Sequence, residues 1–381
     1  MRPVYERLGV QRFINASGHN TAQGGSLMPP EVLEAMNDAA RSFVSLRALQ
    51  EAAGRQIAGQ IGAPAAVVSS GAAGAILLGA AAALAGSDPA AIQALPETAP
   101  DGRSQIVVWS APRPNYMYQT CQTAGGKLVE VGQAGAAPAP EPFRDALSDR
   151  TAAILLVLAP LDQSLGRGAG NTLRWPDLIG AICAHASARG VPVLVDAASE
   201  LPPRDLIRRL LDLGVAGVIV SGGKAIRGPQ SSGLLLGQTD LIAAAGANNA
   251  PEQRIGRPLK VGKEELCALT VAVERFFSLD EGALLSEWRE ACQTIADGVR
   301  GGATARVVEG IPGYGRPPLV PKAVVTPGGG AEGATALQER LLAERPAVQT
   351  MRRGEEVLFN PMTLQPGEAE LIAARLRRAL E

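Results

Sequence analysis

The chain has 381 residues, 46% hydrophobic and 19% charged, enough for a sizeable core and for two domains more readily than one. A formal net charge of −1, with no block of like charge, gives no footing for nucleic acid or an anionic membrane surface. Cys121, Cys183, Cys267 and Cys292 lie far apart with no CxxC pair, and His19 and His185 are equally separated; this excludes a disulfide framework and a zinc site of recognisable spacing. Residues 1–7 carry no apolar core of signal-peptide type, and the Ala-rich run at 74–85 is too short to span a bilayer, so a cytoplasmic protein without a membrane partner is expected.

Residues 1–30 read as an irregular arm. Asn15, Ser17, His19 and Asn20 crowd hydrogen-bonding groups together there, followed by Gly24 and Gly25. Such backbone lies on the surface or lines a polar site, because it is costly to bury without partners. Asn15, Ser17 and Asn20 are therefore candidate substrate contacts. His19 is a candidate acid/base or substrate contact, or else a turn histidine bonded to backbone. Pro29 and Pro30 mark a helix start; apolar spacing predicts helices over 31–43 and 46–61.

Residues 65–75 read as a short strand, a turn of small residues and the opening of an Ala/Leu helix. Free N–H groups at such a helix start form an anion site suited to phosphate, although tight helix-on-strand packing selects the same small residues. Strands are predicted at 106–109, 129–131 and 152–159, with a loop at 112–116 and a Pro/Ala/Gly-rich connector at 132–142. A helix over 175–189 precedes a buried strand at 191–198 that ends in Asp196, and a helix near 206–213 leads to the next apolar run. Strands alternating with helices at this pitch predict a mostly parallel α/β sheet.

That next run, 215–221, ends in Ser221-Gly222-Gly223-Lys224, and a second apolar run covers 234–236. A lysine on Gly-rich backbone between two buried strands is either a surface residue of a hairpin loop or an amine walled by apolar groups. Burial disfavours the ammonium and leaves a neutral amine able to form a Schiff base with an aldehyde. Asp196 precedes Lys224 by 28 positions, room for one helix and one strand, so both reach the same sheet edge on neighbouring strands. Ligands of open α/β sheets sit at such edges. A carboxylate there fits a protonated pyridine nitrogen while the lysine holds the aldehyde of pyridoxal phosphate; a helix N-cap is the plainer use of Asp196. Beyond this, 264–277 predicts an amphipathic helix linking two domains. A helix at 284–299, short strands near 305–309, 320–326, 347–351 and 357–360, and a terminal helix over 366–380 predict a smaller α+β domain. The expected organisation is an arm over 1–30, a large cofactor-binding α/β domain over 31–262, and a linking helix with the small domain over 263–381.

Segments 13–18, 24–30, 70–73, 195–203, 221–230 and 256–263 together resemble the fold-type-I pyridoxal-phosphate enzymes. The likeness is to the branch containing bacterial selenocysteine synthase and D-glucosaminate-6-phosphate ammonia lyase. The resemblance implies that Lys224 is the lysine bonded to pyridoxal 5'-phosphate and Asp196 the partner of its ring nitrogen. It further implies that Ser70, Gly71, Ala72, Ser199, Ser221 and Asn115 contact the cofactor, and that Arg257, Lys260 and Lys263 bind an anionic substrate or a partner subunit's cofactor phosphate. The loop at Arg113–Asn115 falls where relatives place the residue that stacks on the ring, often a histidine; here Pro112-Arg113-Pro114 replaces it. Arg352 and Arg353 lie in the small domain, where related enzymes supply a carboxylate-binding arginine; a solvated hairpin tip is the alternative. The extra N-terminal segment that selenocysteine synthases use with tRNA is not found, so a nucleic-acid substrate is not expected. The expected activity is a lyase of ammonia-lyase or dehydratase type, acting by α-proton abstraction and β-elimination on an amino acid or amino-sugar acid, in a homodimer or higher oligomer with shared sites. Racemase, aldolase or aminotransferase chemistry would share the first step. A nicotinamide-dependent oxidoreductase and a cofactor-free binding protein are the rivals from other classes.

Overall fold

The computed structural model describes residues 3–98, 102–111, 115–134, 136–158, 175–309 and 320–380. The expected stacking position Arg113, with its flanking prolines, and the final residue of the strand predicted at 152–159 lie outside the described residues. Among the described residues thirteen strands follow in chain order: β1 Phe13–Asn15, β2 Ala65–Ser69, β3 Gln105–Trp109, β4 Lys127–Val131, β5 Thr151–Val157, β6 Val193–Asp196, β7 Gly217–Ser221, β8 Gly233–Gly237, β9 Thr304–Val308, β10 Lys322–Thr326, β11 Ala347–Gln349, β12 Met351–Arg353 and β13 Glu356–Phe359. The chain divides into two compact units. One holds residues 27–279 and the other residues 1–26 with most of 280–381. The divisions fall at 26/27 and 279/280, where the sequence alone drew them at 30/31 and 262/263.

The larger unit is built on a seven-stranded sheet, order β2-β8-β7-β6-β5-β3-β4. All strands run parallel except β8, which lies antiparallel between β2 and β7. Alternation along each strand sorts side chains to two faces. Val193, Val195, Val218 and Val220 join one buried cluster, with Ile57, Phe143, Leu178, Leu206 and Leu266 from the covering helices. Leu194, Ile219 and Leu235 join the other, against Ile76, Leu78, Tyr118 and Leu241. Helices cover both faces, which is why these strands read as continuous apolar runs. The helix expected to reach residue 43 ends at Ala39, and Phe43 is fully exposed.

The smaller unit carries a four-stranded antiparallel sheet, β12-β13-β10-β9, and a parallel pair, β1-β11. Ile14, Ile295, Val325, Leu337, Phe359 and Ile372 form its core. Part of the segment read as an irregular arm is thus a strand, with Phe13, Ile14 and Asn15 in register with Ala347, Val348 and Gln349. Arg352 and Arg353 stand on β12, and Arg353 is ion-paired with Glu356 at 2.8 Å across the hairpin. Among the described residues no helix is long and apolar enough to cross a membrane.

Candidate active site

The parallel strands of the larger unit end on one edge of the sheet, and the antiparallel β8 starts there. In the register Gly233 pairs with Ser69 on one side and Ser221 on the other. Adjacent strands lie ~4.8 Å apart, so the turn after Ser69 and the loop after Ser221 are about 10 Å apart along this edge. A Cβ on Gly233 would meet the Gly71 carbonyl carbon at 2.3 Å, so only glycine lets β8 press against the turn at 70–72.

That turn opens the helix Gly71–Ala85. Ser70 precedes it with no side-chain cap, Gly71 has φ +73, and the space before the Gly71 Cα is open. The first N–H groups of the helix are left with no capping side chain, beside a void into which a side chain would otherwise project.

Asp196 closes β6 and is 4% exposed. Its Oδ1 accepts the Ala198 N–H at 3.0 Å. This is the turn-capping use foreseen for it, but one N–H leaves most of the carboxylate uncompensated. Burial pushes its pKa up to about 6, against the opposing pull of the Ala198 N–H and of Lys224. Lys224 follows β7 by three residues on the same edge, and its Nζ donates to Ser199 Oγ at 2.6 Å. Burial lowers the Lys224 pKa while Asp196 raises it. Burial thus disfavours the charged form of both groups, and the single N–H on Asp196 offsets this only in part. The pyridinium of pyridoxal phosphate would supply a cation to Asp196, and its phosphate would fill the turn at 70–72. The residues present fit that group.

Other expected contacts divide. Asn115, nearly buried, caps the helix Tyr116–Thr123, its Oδ1 accepting the Met117 and Tyr118 N–H groups. Arg257 lies in the turn Arg257–Leu259, and Leu259 lies 3.6 Å from where a Gly74 Cβ would stand, so this segment packs beside the helix that follows the Ser70 turn. Lys260 is exposed. Lys263 is already engaged: its Nζ donates to the Ala39 carbonyl at 2.6 Å and to Glu264 at 2.5 Å, tying down the end of the helix Pro30–Ala39. In the smaller unit, Asn15 Oδ1 accepts from the Ser17 N–H and hydroxyl, Asn15 Nδ2 donates to the Gly18 carbonyl, and Asn20 Oδ1 accepts the Gln23 N–H. His19 is half-buried in the loop between these turns.

Tyr116 is the neighbour that motif reading passed over. It is more than half exposed, yet burial and then the Asp196 charge raise its pKa, which puts the phenol within electrostatic reach of that carboxylate. The available signal was an aromatic residue just past the C-terminal end of β3.

No protein-family model matches the chain. It is 30% identical over 387 aligned positions to 5'-C-glycyluridine monooxygenase-decarboxylase of Streptomyces sp, covering 99% of this chain and 92% of that protein. It is 31% identical over 276 positions to D-glucosaminate-6-phosphate ammonia lyase of Salmonella typhimurium (strain 14028s / SGSC 2262), covering 72% and 70%. A solved structure of D-glucosaminate-6-phosphate ammonia-lyase matches with a TM-score of 0.80 at 27% identity, over 100% of this chain and 99% of that one. The chain belongs to the fold-type-I family of pyridoxal-phosphate-dependent enzymes. Within that family it falls in the branch of D-glucosaminate-6-phosphate ammonia lyase.

Proposed function

We propose that the protein is a pyridoxal-phosphate-dependent ammonia lyase acting on an amino acid or amino-sugar acid that carries a β-leaving group, with a 2-oxo acid and ammonia as products. The observation that carries the reading is the pairing, on one sheet edge, of a lysine whose charge is disfavoured by burial with a buried carboxylate 4% exposed. When bound, pyridoxal phosphate supplies an aldehyde that condenses with amines and a cationic ring that holds an electron pair. Asp196 keeps the ring nitrogen protonated. Ser70, Gly71 and Ala72 offer N–H groups to the phosphate, and Ser221 stands beside them across Gly233. Lys224 would hold the aldehyde of the cofactor, and its Nζ, when free, would take the α-proton; Ser199 Oγ orients that amine. Tyr116 keeps its proton over the working range, because its pKa is raised, and offers a neutral donor on the Asp196 side.

Substrate recognition is assigned to Arg257 and Lys260, whose side chains hold no carboxylate or carbonyl partner among the described residues. Lys263, Asn15, Ser17 and Asn20 are bonded within their own surroundings. The working form is a homodimer or larger homo-oligomer, with Leu27, Leu33, Phe43 and Val44 of the larger unit, 43–101% exposed, covered by a second copy. The protein should be yellow after reconstitution and lose the colour on borohydride reduction, with the added mass on Lys224. Ammonia and 2-oxo acid should then form from β-hydroxy amino acids or amino-sugar acids. A colourless protein after addition of pyridoxal phosphate ends the reading.

A second reading has a specific observation behind it. The match to a monooxygenase-decarboxylase runs over 92% of that protein, against 70% for the lyase. Oxidative decarboxylation of an amino acid would release carbon dioxide and consume oxygen, and neither occurs in the elimination.

A further inference from the structure

Two arginines outside this chemistry share an unusual placement. Arg227 is the one non-glycine residue in the left-handed region among the described residues, with φ +61. Glycine adopts that conformation freely, and the loop already holds Gly222, Gly223 and Gly228. A strained backbone on a residue that keeps a long side chain points to what the side chain holds. Arg227 Nε donates to the Leu27 carbonyl at 2.9 Å, 200 positions away. Leu27 is the first residue of the larger unit, directly after the chain crosses from the smaller one at Ser26. The loop behind Arg227 is closed: its N–H donates to the Lys224 carbonyl at 3.0 Å, the Gly228 N–H donates to the Gly222 carbonyl at 2.8 Å, and Ile226 is fully buried. The Leu27 carbonyl is thereby fixed to backbone three residues from Lys224.

The other crossing among the described residues is at Leu279 and Asp280. Arg204 Nη1 donates to the Phe277 carbonyl, two residues before it, at 2.7 Å. Arg204 lies five positions after Ser199, in the segment that follows β6. The loop of Lys224 and the loop of Ser199 thus each send one arginine to a backbone carbonyl at a covalent crossing, by a charge-assisted bond of the stronger kind.

We infer that Arg227 and Arg204 are positioning residues that fix the two crossings to the loops carrying Lys224 and Ser199, so that the lysine–serine contact depends on both tethers. The positioning half rests on the proposed role of Lys224; the tethering half does not. The test is hydrogen exchange of the full-length protein, without and with pyridoxal phosphate, in wild type, Arg227→Gly, Arg227→Lys and Arg204→Ala. Arg227→Gly suits the backbone conformation and removes the tether. It should speed exchange at 27–33 by about tenfold and leave 272–279 unchanged; Arg204→Ala should do the reverse. In the reconstituted protein both variants should shift the pH at which the cofactor absorbance changes, with Arg227→Lys returning part of the shift. Unchanged exchange in both segments overturns the tethers. Faster exchange with an unmoved absorbance titration reduces the arginines to structural anchors and overturns the positioning. If no form of the protein takes up pyridoxal phosphate, the cofactor reading falls, and exchange in the protein alone still decides the tethers.

Discussion

The two units each contain a lysine whose pKa burial lowers. Lys322 stands on β10 of the smaller unit, 6% exposed, and the nearby Cys292 raises its pKa slightly against that trend. Lys224 is less buried but has a hydroxyl at 2.6 Å and a buried carboxylate within electrostatic reach. Among the described residues Lys322 has no hydrogen-bonded hydroxyl and no ion pair, and the Cys292 thiol is itself pushed up to about 12 by burial. Desolvation alone therefore does not distinguish a working amine. What distinguishes Lys224 is the company it keeps and the open sheet edge it faces.

The contrast breaks most sharply by substitution. Lys224→Ala should abolish borohydride-trapped cofactor and lower turnover by at least about a thousandfold. The same treatment of Lys322→Met should leave trapping intact. Equal trapping in both variants would dissolve the comparison.

Asp196→Asn comes next. On the proposed role of Asp196 as partner of the ring nitrogen, losing its charge should weaken cofactor binding by about ten- to hundredfold in equilibrium dialysis. It also has a pH signature. Asp196 has its folded pKa raised from 3.8 to about 6, so the folded state binds the proton more tightly than the unfolded one. Stability from this group is fully present below pH ~4 and is lost as pH rises through about 6. Denaturant titrations of the cofactor-free protein should show that decline, and Asp196→Asn should flatten it. Saturation with pyridoxal phosphate should flatten it too, because the bound cation favours the ionised carboxylate. A decline that survives the substitution would place the responsible group elsewhere.

Lys322→Met tests the other side. Removing a buried amine that has no ion pair among the described residues should stabilise the fold by about 1–2 kcal/mol at neutral pH. The folded pKa of Lys322 is lowered from 10.5, so its cost is full below that lowered value and fades as pH rises toward 10.5. The advantage of methionine in melting experiments should shrink over the same range. A destabilised variant would mean that the amine has a partner of consequence.

Much of the larger unit is legible in the sequence, and the reason is physical. Strands covered on both faces must be apolar throughout, so β5, β6, β7 and β8 announce themselves, and Asp196 and Lys224 fall at their ends. Interactions that span the chain leave no local trace. β1 pairs with β11 more than 330 positions away, and nothing in Phe13-Ile14-Asn15 signals that partner. Lys263 matches a basic motif by spacing, but its contact with the Ala39 carbonyl is tertiary. The helix Tyr116–Thr123 is short and polar, with weak periodicity, so its one legible sign is the capping Asn115. Arg227 reads as an ordinary loop cation, because φ is not written in the residue name.

The smallest expected effect concerns the contact that sets Lys224 apart. Ser199 Oγ accepts a hydrogen bond from Nζ, and acceptance from an ammonium is stronger than from a neutral amine. Ser199→Ala should therefore lower the Lys224 pKa further, adding to the effect of burial, while Asp196 still opposes it. The pH dependence of the rate at which the cofactor-free protein captures pyridoxal phosphate reports that pKa, since only the unprotonated amine attacks. Its midpoint should move to lower pH, with capture at saturating pH slowed by about fivefold through loss of orientation. Ser199→Thr keeps the hydroxyl and should return both towards wild type. A midpoint that stays fixed in Ser199→Ala would remove the hydroxyl from what sets Lys224 apart from Lys322.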